Sequence, residues 1–160
     1  MHTEKLTTMI QRVQTLYLLG SLVLIVLMFF YPYAAFIDPS AVTYVFDFSG
    51  IHAEGGEELL QGVLPLQILL GVVAVLHPVV IFLFRNRTLQ MRLTIFNMLL
   101  MAGILILAGW YIYYAVKEWE MQVLFRVSLL FPLMAILLSW LAFRNILKDE
   151  LLVRSADRIR

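Results

Sequence analysis

The chain has 160 residues, of which 62% are hydrophobic and 14% charged, with a formal net charge of +1 and no cysteine. Soluble domains are about 45–50% apolar and about 25% charged, and a domain this small cannot hide such an apolar excess from water. The composition therefore predicts an integral membrane protein. It excludes disulfides, thiolate metal sites and iron–sulfur clusters, and the small net charge argues against nucleic-acid binding.

Four apolar stretches divide the chain, and each has about the 20 residues that a helix needs to cross some 30 Å of hydrocarbon. Because lipid offers no partners for backbone amides, we expect helices there. The sequence thus predicts an all-α membrane protein, a single domain built as a bundle of four transmembrane helices. The predicted helices are Leu16–Phe36, Leu59–Phe84, Leu93–Val116 and Val123–Phe143, and Arg144–Arg160 is a tail.

The first stretch follows Lys5 and Arg12, as the apolar part of a signal peptide would. It is longer than the roughly 7–15 residues of such a part, and no small-x-small cleavage site follows it. We expect it to be retained as a helix.

The connection Ile37–Glu58 is the longest segment outside the stretches, and it is longer than the tail. Val42–Phe48 within it is β-prone, and Gly50, Gly55 and Gly56 follow. We expect a short hairpin or an amphipathic strand, packed on the helix ends or on a partner, because an isolated hairpin is marginal in water.

Basic residues are distributed unequally between the two ends of the predicted helices. One end carries all 12 of them except Lys117 and Arg126. The positive-inside rule therefore places both termini and the second connection in the cytoplasm. Aromatic residues cluster at the outer ends of the first and third stretches, where interface anchors belong.

Polar side chains inside apolar stretches are candidate functional positions, because polar groups are costly in hydrocarbon. They are Gln67, His77, Asn97 and Arg126. No carboxylate lies inside the stretches, which argues against a proton- or cation-coupled transporter. His77 precedes Pro78. Its candidate roles are a metal or haem ligand and a proton relay, but we expect it to form hydrogen bonds to carbonyls that the proline frees.

Arg126 lies near the outer end of the fourth stretch. It is expected to reach the headgroups or to pair with an acidic residue of the outer connections. An anion-binding role would need a second basic residue at the same depth.

Small and polar residues recur at helical spacing on the second and fourth helices. Such stripes let helix backbones approach closely, so we expect packing surfaces, facing either each other or a partner protein. The positions are Gln67, Gly71, Ala74 and Pro78 on the second helix and Ser128, Pro132, Ala135, Ser139 and Ala142 on the fourth.

The cytoplasmic end carries what we call the basic rim, a candidate interaction face for anionic lipid headgroups or for a cytoplasmic partner. Glu150 with Arg154, and Asp157 with Arg160, have the spacing that would extend the fourth helix into the tail. The basic rim comprises Arg12, Arg85, Arg87, Arg92, Lys148, Arg154, Arg158 and Arg160.

Four distinctive segments are Met9–Leu19, Arg85–Leu93 with the following Asn97, Phe131–Ile136 and Arg144–Arg160. Together they resemble a family of small four-helix membrane proteins of Bacteroidota to which no activity is assigned. The resemblance implies the inner membrane of a Gram-negative bacterium, which makes the outer connections periplasmic. Family members commonly begin at the residue matching Met9, so we expect Met1–Thr8 to be either an extension or the product of an upstream start.

No arrangement of residues in the sequence assigns a catalytic, metal or cofactor site. We therefore expect a non-catalytic accessory or scaffold subunit of a larger inner-membrane assembly, which contacts the lipid bilayer and a membrane-protein partner or a second copy. One alternative is a small homo-oligomeric transporter or channel, with Gln67, His77 and Asn97 along the seam. A second alternative is a lipid- or quinone-handling membrane enzyme.

Overall fold

The computed structural model describes the backbone of residues 2–56 and 59–157 and the side chains of residues 13–56 and 59–151. Within these ranges the chain forms four long helices and five short strands. The helices are α1 (His2–Leu27), α2 (Leu64–Phe82), α3 (Arg87–Glu118) and α4 (Phe131–Asp157). The strands are β1 (Ala34–Ile37), β2 (Thr43–Phe46), β3 (Gly50–Ala53), β4 (Leu59–Gly62) and β5 (Gln122–Phe125).

Three helical segments are long and apolar enough to cross a membrane, as judged by length and composition. They are Leu64–Arg85, Arg87–Glu118 and Val127–Leu151. The first helix has a shorter apolar segment among the described residues, Val13–Leu27. The part of α1 before Val13 is polar, with Glu4 and Lys5.

The helices contact one another in a closed order, because α1 packs on α2 and α4, and α3 packs on the same two helices. Gly20 brings α1 close to α4, since a Cβ atom there would lie 3.3 Å from Leu138 Cδ1. Gly103 does the same for α3 and α2, with Leu69 Cδ2 3.2 Å from the corresponding position. Small residues thus set the helix spacing at both contacts.

The strands form one antiparallel sheet in the order β4-β3-β2-β1-β5. We call the end of the helices that carries it the sheet end. β5 comes from the connection between α3 and α4, and it pairs with β1 from Ala34 opposite Phe125 to Ile37 opposite Gln122. The two connections at this end are therefore joined by backbone hydrogen bonds. Tyr33, Phe36 and Phe46 are fully buried where the sheet packs on the helices.

The sheet corrects the prediction of an all-α fold and shifts three helix boundaries. α1 ends at Leu27 and does not continue to Phe36, because the chain turns there and enters β1. Leu59–Gly62 and Val123–Phe125 are strand, since their backbone groups bond to β3 and β1. Pro65 lies in the first turn of α2. A backbone N–H in this turn has no acceptor within the helix, so proline, which lacks the N–H, loses no hydrogen bond there. An apolar run alone does not distinguish a buried strand from the helix that follows it.

Two other expectations agree with the structure. The β-prone segment Val42–Phe48 contains β2, within a sheet larger than the expected hairpin. The helical spacing of charges in the tail is also confirmed, because α4 continues to Asp157.

Candidate functional site

One polar side chain from each helix meets in the interior of the fold. We call this group the polar cluster. Each member is at most 2% exposed to solvent. The members are Ser21 of α1, His77 of α2, Asn97 of α3 and Ser139 of α4.

Ser21 lies at the centre of the polar cluster. Its Oγ atom is 2.8 Å from His77 Nε2 and 2.9 Å from Ser139 Oγ. The hydroxyl donates to the carbonyl oxygen of Ala135 at 2.9 Å. On the other side of the imidazole, Asn97 Nδ2 is 2.7 Å from His77 Nδ1. A continuous set of hydrogen bonds therefore joins all four helices.

The hydrogen-bond geometry assigns the protons of the polar cluster. Because Ser21 has one hydroxyl proton and gives it to Ala135, it accepts from both Ser139 and His77. His77 then carries its proton on Nε2, and Nδ1 accepts from the Asn97 amide. The Val73 carbonyl oxygen lies 3.3 Å from the same Nδ1 atom.

The Asn97 side-chain oxygen has no hydrogen-bond partner within the described part of the chain, although it is buried. An unpaired buried acceptor costs about 1–3 kcal/mol. Every other side-chain nitrogen and oxygen atom of the polar cluster has a partner, so Asn97 is its least satisfied member.

Each member of the polar cluster lies within the buried stripe of its own helix, and this is why the four meet. α2 buries residues at helical spacing, namely Leu66, Leu70, Val73, His77 and Val80. The buried positions around the other members are Leu18 and Ile25 on α1, Thr94 and Met101 on α3, and Ala135 and Ala142 on α4. Apolar neighbours thus drive the packing, and the polar members fix the register.

The geometry of the polar cluster does not activate a nucleophile. Ser21 donates its proton to a main-chain carbonyl, whereas a catalytic serine donates to its base. Its side chain is also fully buried. Within the described residues, no group of three or more His, Cys, Asp or Glu side chains is placed to hold a metal ion. The arrangement suits a structural joint between helices.

Of the predicted intramembrane polar positions, the structure brings His77 and Asn97 together and places the other two elsewhere. Gln67 lies in the first turns of α2, and its Nε2 atom donates to the Phe48 carbonyl oxygen at 2.9 Å. Arg126 is exposed between β5 and the 3-10 turn Val127–Leu130, with its backbone N–H bonded to the Tyr33 carbonyl oxygen.

The sequence reasoning missed the partners of His77. It favoured a carbonyl freed by Pro78, whereas the imidazole bonds to the side chains of Ser21 and Asn97. Ser21 could have been found as an isolated hydroxyl in an apolar helix, and Ser139 was singled out only as a packing residue.

The two predicted stripes have different surroundings. The stripe predicted on the fourth helix is buried at every position, although its first member, Ser128, lies in the 3-10 turn before α4. Ser128 Oγ donates to the Pro32 carbonyl oxygen. On α2, Gly71 faces outwards, because a Cβ atom there would meet nothing within 4 Å. It lines an open apolar groove with Val72 and Val75.

The members of the basic rim that the structure describes lie at the end opposite the sheet. Arg87 is used internally, since its Nη1 atom is 2.8 Å from Oδ2 of Asp149, which is only 3% exposed. Arg85, Arg92 and Lys148 are exposed. The side chains of Arg12 and Arg154, and the whole of Arg158 and Arg160, lie outside the described residues.

A second polar contact near the basic rim was not anticipated. Gln90 is 5% exposed, and its Nε2 atom donates to the Val80 carbonyl oxygen at 3.0 Å. Because the last carbonyls of a helix lack partners within the helix, this bond closes the end of α2 against α3.

Comparison with curated proteins finds no match. A family model described as a domain of unknown function, DUF4293, matches residues 10–159. Because this match extends over nearly the whole chain, the protein belongs to the DUF4293 family.

Proposed function

We propose that this protein crosses a bacterial inner membrane four times, keeps both termini in the cytoplasm and acts as a non-catalytic accessory or scaffold subunit of a larger membrane assembly. The observation that carries the proposal is the polar cluster. The hydrogen bonds of the polar cluster hold the chain's own helices together. Function is then left to the outer surface.

The outward surface of the helices is apolar, as a lipid or membrane-protein contact requires. Large apolar side chains are more than half exposed on every helix. Examples are Leu16 and Val23 on α1, Ile68 and Val75 on α2, Leu99 and Ile106 on α3, and Leu151 on α4. This surface supports embedding in a membrane.

The fourth crossing is supported by the position of α1. Ser21 lies at the level of His77 and Ser139, because the three side chains bond to one another. The chain after α1 enters the sheet, at the same end from which α2 and α4 begin. α1 therefore occupies the same layer as the three helices that are long enough to span.

The exposed cations support the cytoplasmic contact and the orientation. Arg85, Arg92 and Lys148 present their charges at the end away from the sheet, while Arg87 is occupied by Asp149. A set of exposed cations at one end binds acidic protein surfaces and anionic headgroups and gives the orientation that the positive-inside rule describes.

The experiment is purification of the full chain from its own membranes in mild detergent, with mass-spectrometric identification of what accompanies it. We expect a stoichiometric membrane partner with the unaltered chain, and its loss from a variant carrying Arg85→Glu, Arg92→Glu and Lys148→Glu. Lys117→Glu is the matched control, because it reverses an exposed cation at the sheet end. A chain that purifies alone, or only as copies of itself, contradicts the proposal.

The homo-oligomeric transporter receives no support from the site. It requires His77 and Asn97 to line a seam between copies, whereas both are buried among helices of one chain.

A further inference from the structure

An open groove of about 400 Å³ runs along α3 at the sheet end, beneath β5. Its volume lies in the range of small-molecule sites. Its wall is apolar and includes Gly109, Ile112, Tyr113, Val116, Phe125 and Leu129. Gly109 opens the groove, because a Cβ atom at this position would meet no atom within 4 Å. In a membrane, hydrocarbon chains fill such a groove, since a void forfeits the dispersion contacts of its walls.

Two cations adjoin lining residues of this groove, one by contact and one in the chain. The Lys117 ammonium lies 5.5 Å from the ring centroid of Tyr113, which lines the groove. Arg126 directly follows Phe125, another lining residue, and its side chain is exposed. Lys117 and Arg126 are also the basic residues that the charge pattern leaves at the sheet end.

Neither cation is neutralised by an ion pair within the residues whose side chains are described. Glu118 and Glu120 lie nearby in the chain and are exposed, yet they form no ion pair with Lys117 or Arg126. Lys117 contacts one lining residue of the groove, and Arg126 adjoins another lining residue in the chain.

We propose that this groove is a binding site for an anionic phospholipid of the sheet-end leaflet. One acyl chain lies in the groove against Gly109 and Phe125, and the lipid phosphate is bound by Lys117 and Arg126. Both cations lie at the level where α3 ends and the sheet begins, which is where headgroups meet the helix ends. The inference rests on the proposed embedding in a membrane and is independent of the accessory role.

The groove and the charges together select a lipid over free phosphate. A soluble phosphate ester would engage the two cations and leave the groove unused. A zwitterionic lipid would fill the groove but would bring a choline cation towards Lys117 and Arg126. An anionic lipid satisfies both parts, since cations near a membrane surface attract acidic headgroups.

The test measures the binding of dioleoyl phosphatidylglycerol and dioleoyl phosphatidylcholine to the detergent-purified full chain, by native mass spectrometry and by thermal midpoint. We expect phosphatidylglycerol to be retained preferentially. In the variant that combines Lys117→Ala with Arg126→Ala, that preference should fall about tenfold to thirtyfold.

Gly109→Leu tests the groove with the charges intact, because the new side chain projects into the open space. Gly71→Leu is the matched control, since it fills an apolar groove on α2 whose lining holds no cation, and its Cβ position is equally open. We expect Gly109→Leu to release the bound lipid and Gly71→Leu to keep it. Unchanged thermal midpoints without lipid show that each variant is folded.

Three results would overturn the inference. The first is equal retention of phosphatidylglycerol and phosphatidylcholine by the unaltered chain. The second is loss of the preference in a variant carrying Arg85→Ala and Arg92→Ala but not in the Lys117 and Arg126 variant, which would place the lipid at the basic rim. The third is stabilisation by glycerol phosphate that equals the stabilisation by phosphatidylglycerol, which would identify a phosphate site without a role for the groove.

Discussion

His77 Nε2 lies 2.8 Å from Ser21 Oγ, so that α2 and α1 are hydrogen bonded to each other at a fully buried point. The same serine oxygen also contacts Ser139 of α4, and the opposite edge of the imidazole contacts Asn97 of α3. One hydroxyl and one imidazole therefore fix the relative height of four helices. Their substitution gives the first prediction.

Ser21→Ala removes the acceptor of His77 and Ser139 without changing the shape of the helix. We expect the free energy of unfolding to fall by about 1–3 kcal/mol, because the buried donor on His77 loses its partner. Reversible unfolding in mixed micelles measures the change. Ser40→Ala, at an exposed position between β1 and β2, should have almost no effect. Equal stability of Ser21→Ala and the unaltered chain would mean that the cluster does not hold the helices together.

The ion pair of Arg87 and Asp149 gives the second prediction. Asp149→Asn leaves the partly buried Arg87 without its carboxylate, and we expect a loss of about 1–3 kcal/mol in the free energy of unfolding. In a double-mutant cycle with Arg87→Gln, the two losses should not add. Additive losses would show that the two side chains do not interact.

Alkaline pH should destabilise the sheet end through Tyr33. Burial, with a smaller effect of the Asp47 charge, raises the pKa of the Tyr33 hydroxyl above its ordinary value of 10.0. The unfolded chain therefore ionises first. The stability that Tyr33 contributes is fully present below pH 10 and is lost as the pH rises from there towards the folded-state value.

Tyr33→Phe isolates this dependence from the other tyrosines. The variant also loses the hydrogen bond from the Tyr33 hydroxyl to the Met28 carbonyl oxygen, so it should be less stable at pH 8. We expect the difference in free energy of unfolding between the unaltered chain and Tyr33→Phe to shrink as the pH passes 10. A difference that stays constant up to pH 11 would contradict the assignment.

Gly50 gives a prediction about the sheet. Its φ of 144° lies in a region that side chains disfavour, and a Cβ atom there would lie 2.5 Å from the Gln61 carbonyl oxygen. We expect Gly50→Ala to disrupt the pairing of β3 with β4 and to speed hydrogen exchange of both strands. Gly62→Ala, with the nearest atom 3.9 Å away, should leave exchange unchanged. Equal protection in both variants would mean that the pairing does not depend on Gly50.

The sequence was sufficient to predict the helices but not the sheet. Val73, His77 and Val80 lie on one face of a continuous apolar segment, and length alone indicated a helix there. Leu59–Gly62 and Gln122–Phe125 are apolar, or adjoin apolar residues, as the helical segments are. They become strands only because other segments supply their hydrogen bonds. Such long-range pairing leaves no local pattern to read.

The candidate site was predicted only in part, because its contacts also join distant segments of the chain. Burial of polar groups made His77 and Asn97 conspicuous in an apolar context, whereas a serine hydroxyl fits a helix by bonding to its own backbone and draws no attention. Arg87 was predicted as part of a free basic surface. Its pairing with Asp149 depends on the alignment of α3 with α4, which a single sequence does not reveal.

The membrane topology is the claim on which the proposals depend, and the chain suits its most direct test because it has no cysteine. Single substitutions Thr8→Cys, Ser40→Cys, Asn86→Cys and Gln122→Cys place one thiol in each of four successive segments. Labelling of intact cells with a membrane-impermeant maleimide should modify Ser40→Cys and Gln122→Cys. Thr8→Cys and Asn86→Cys should react only after the membrane is opened. Labelling of Thr8→Cys and Ser40→Cys from the same side would contradict the account, because α1 would then not cross the membrane.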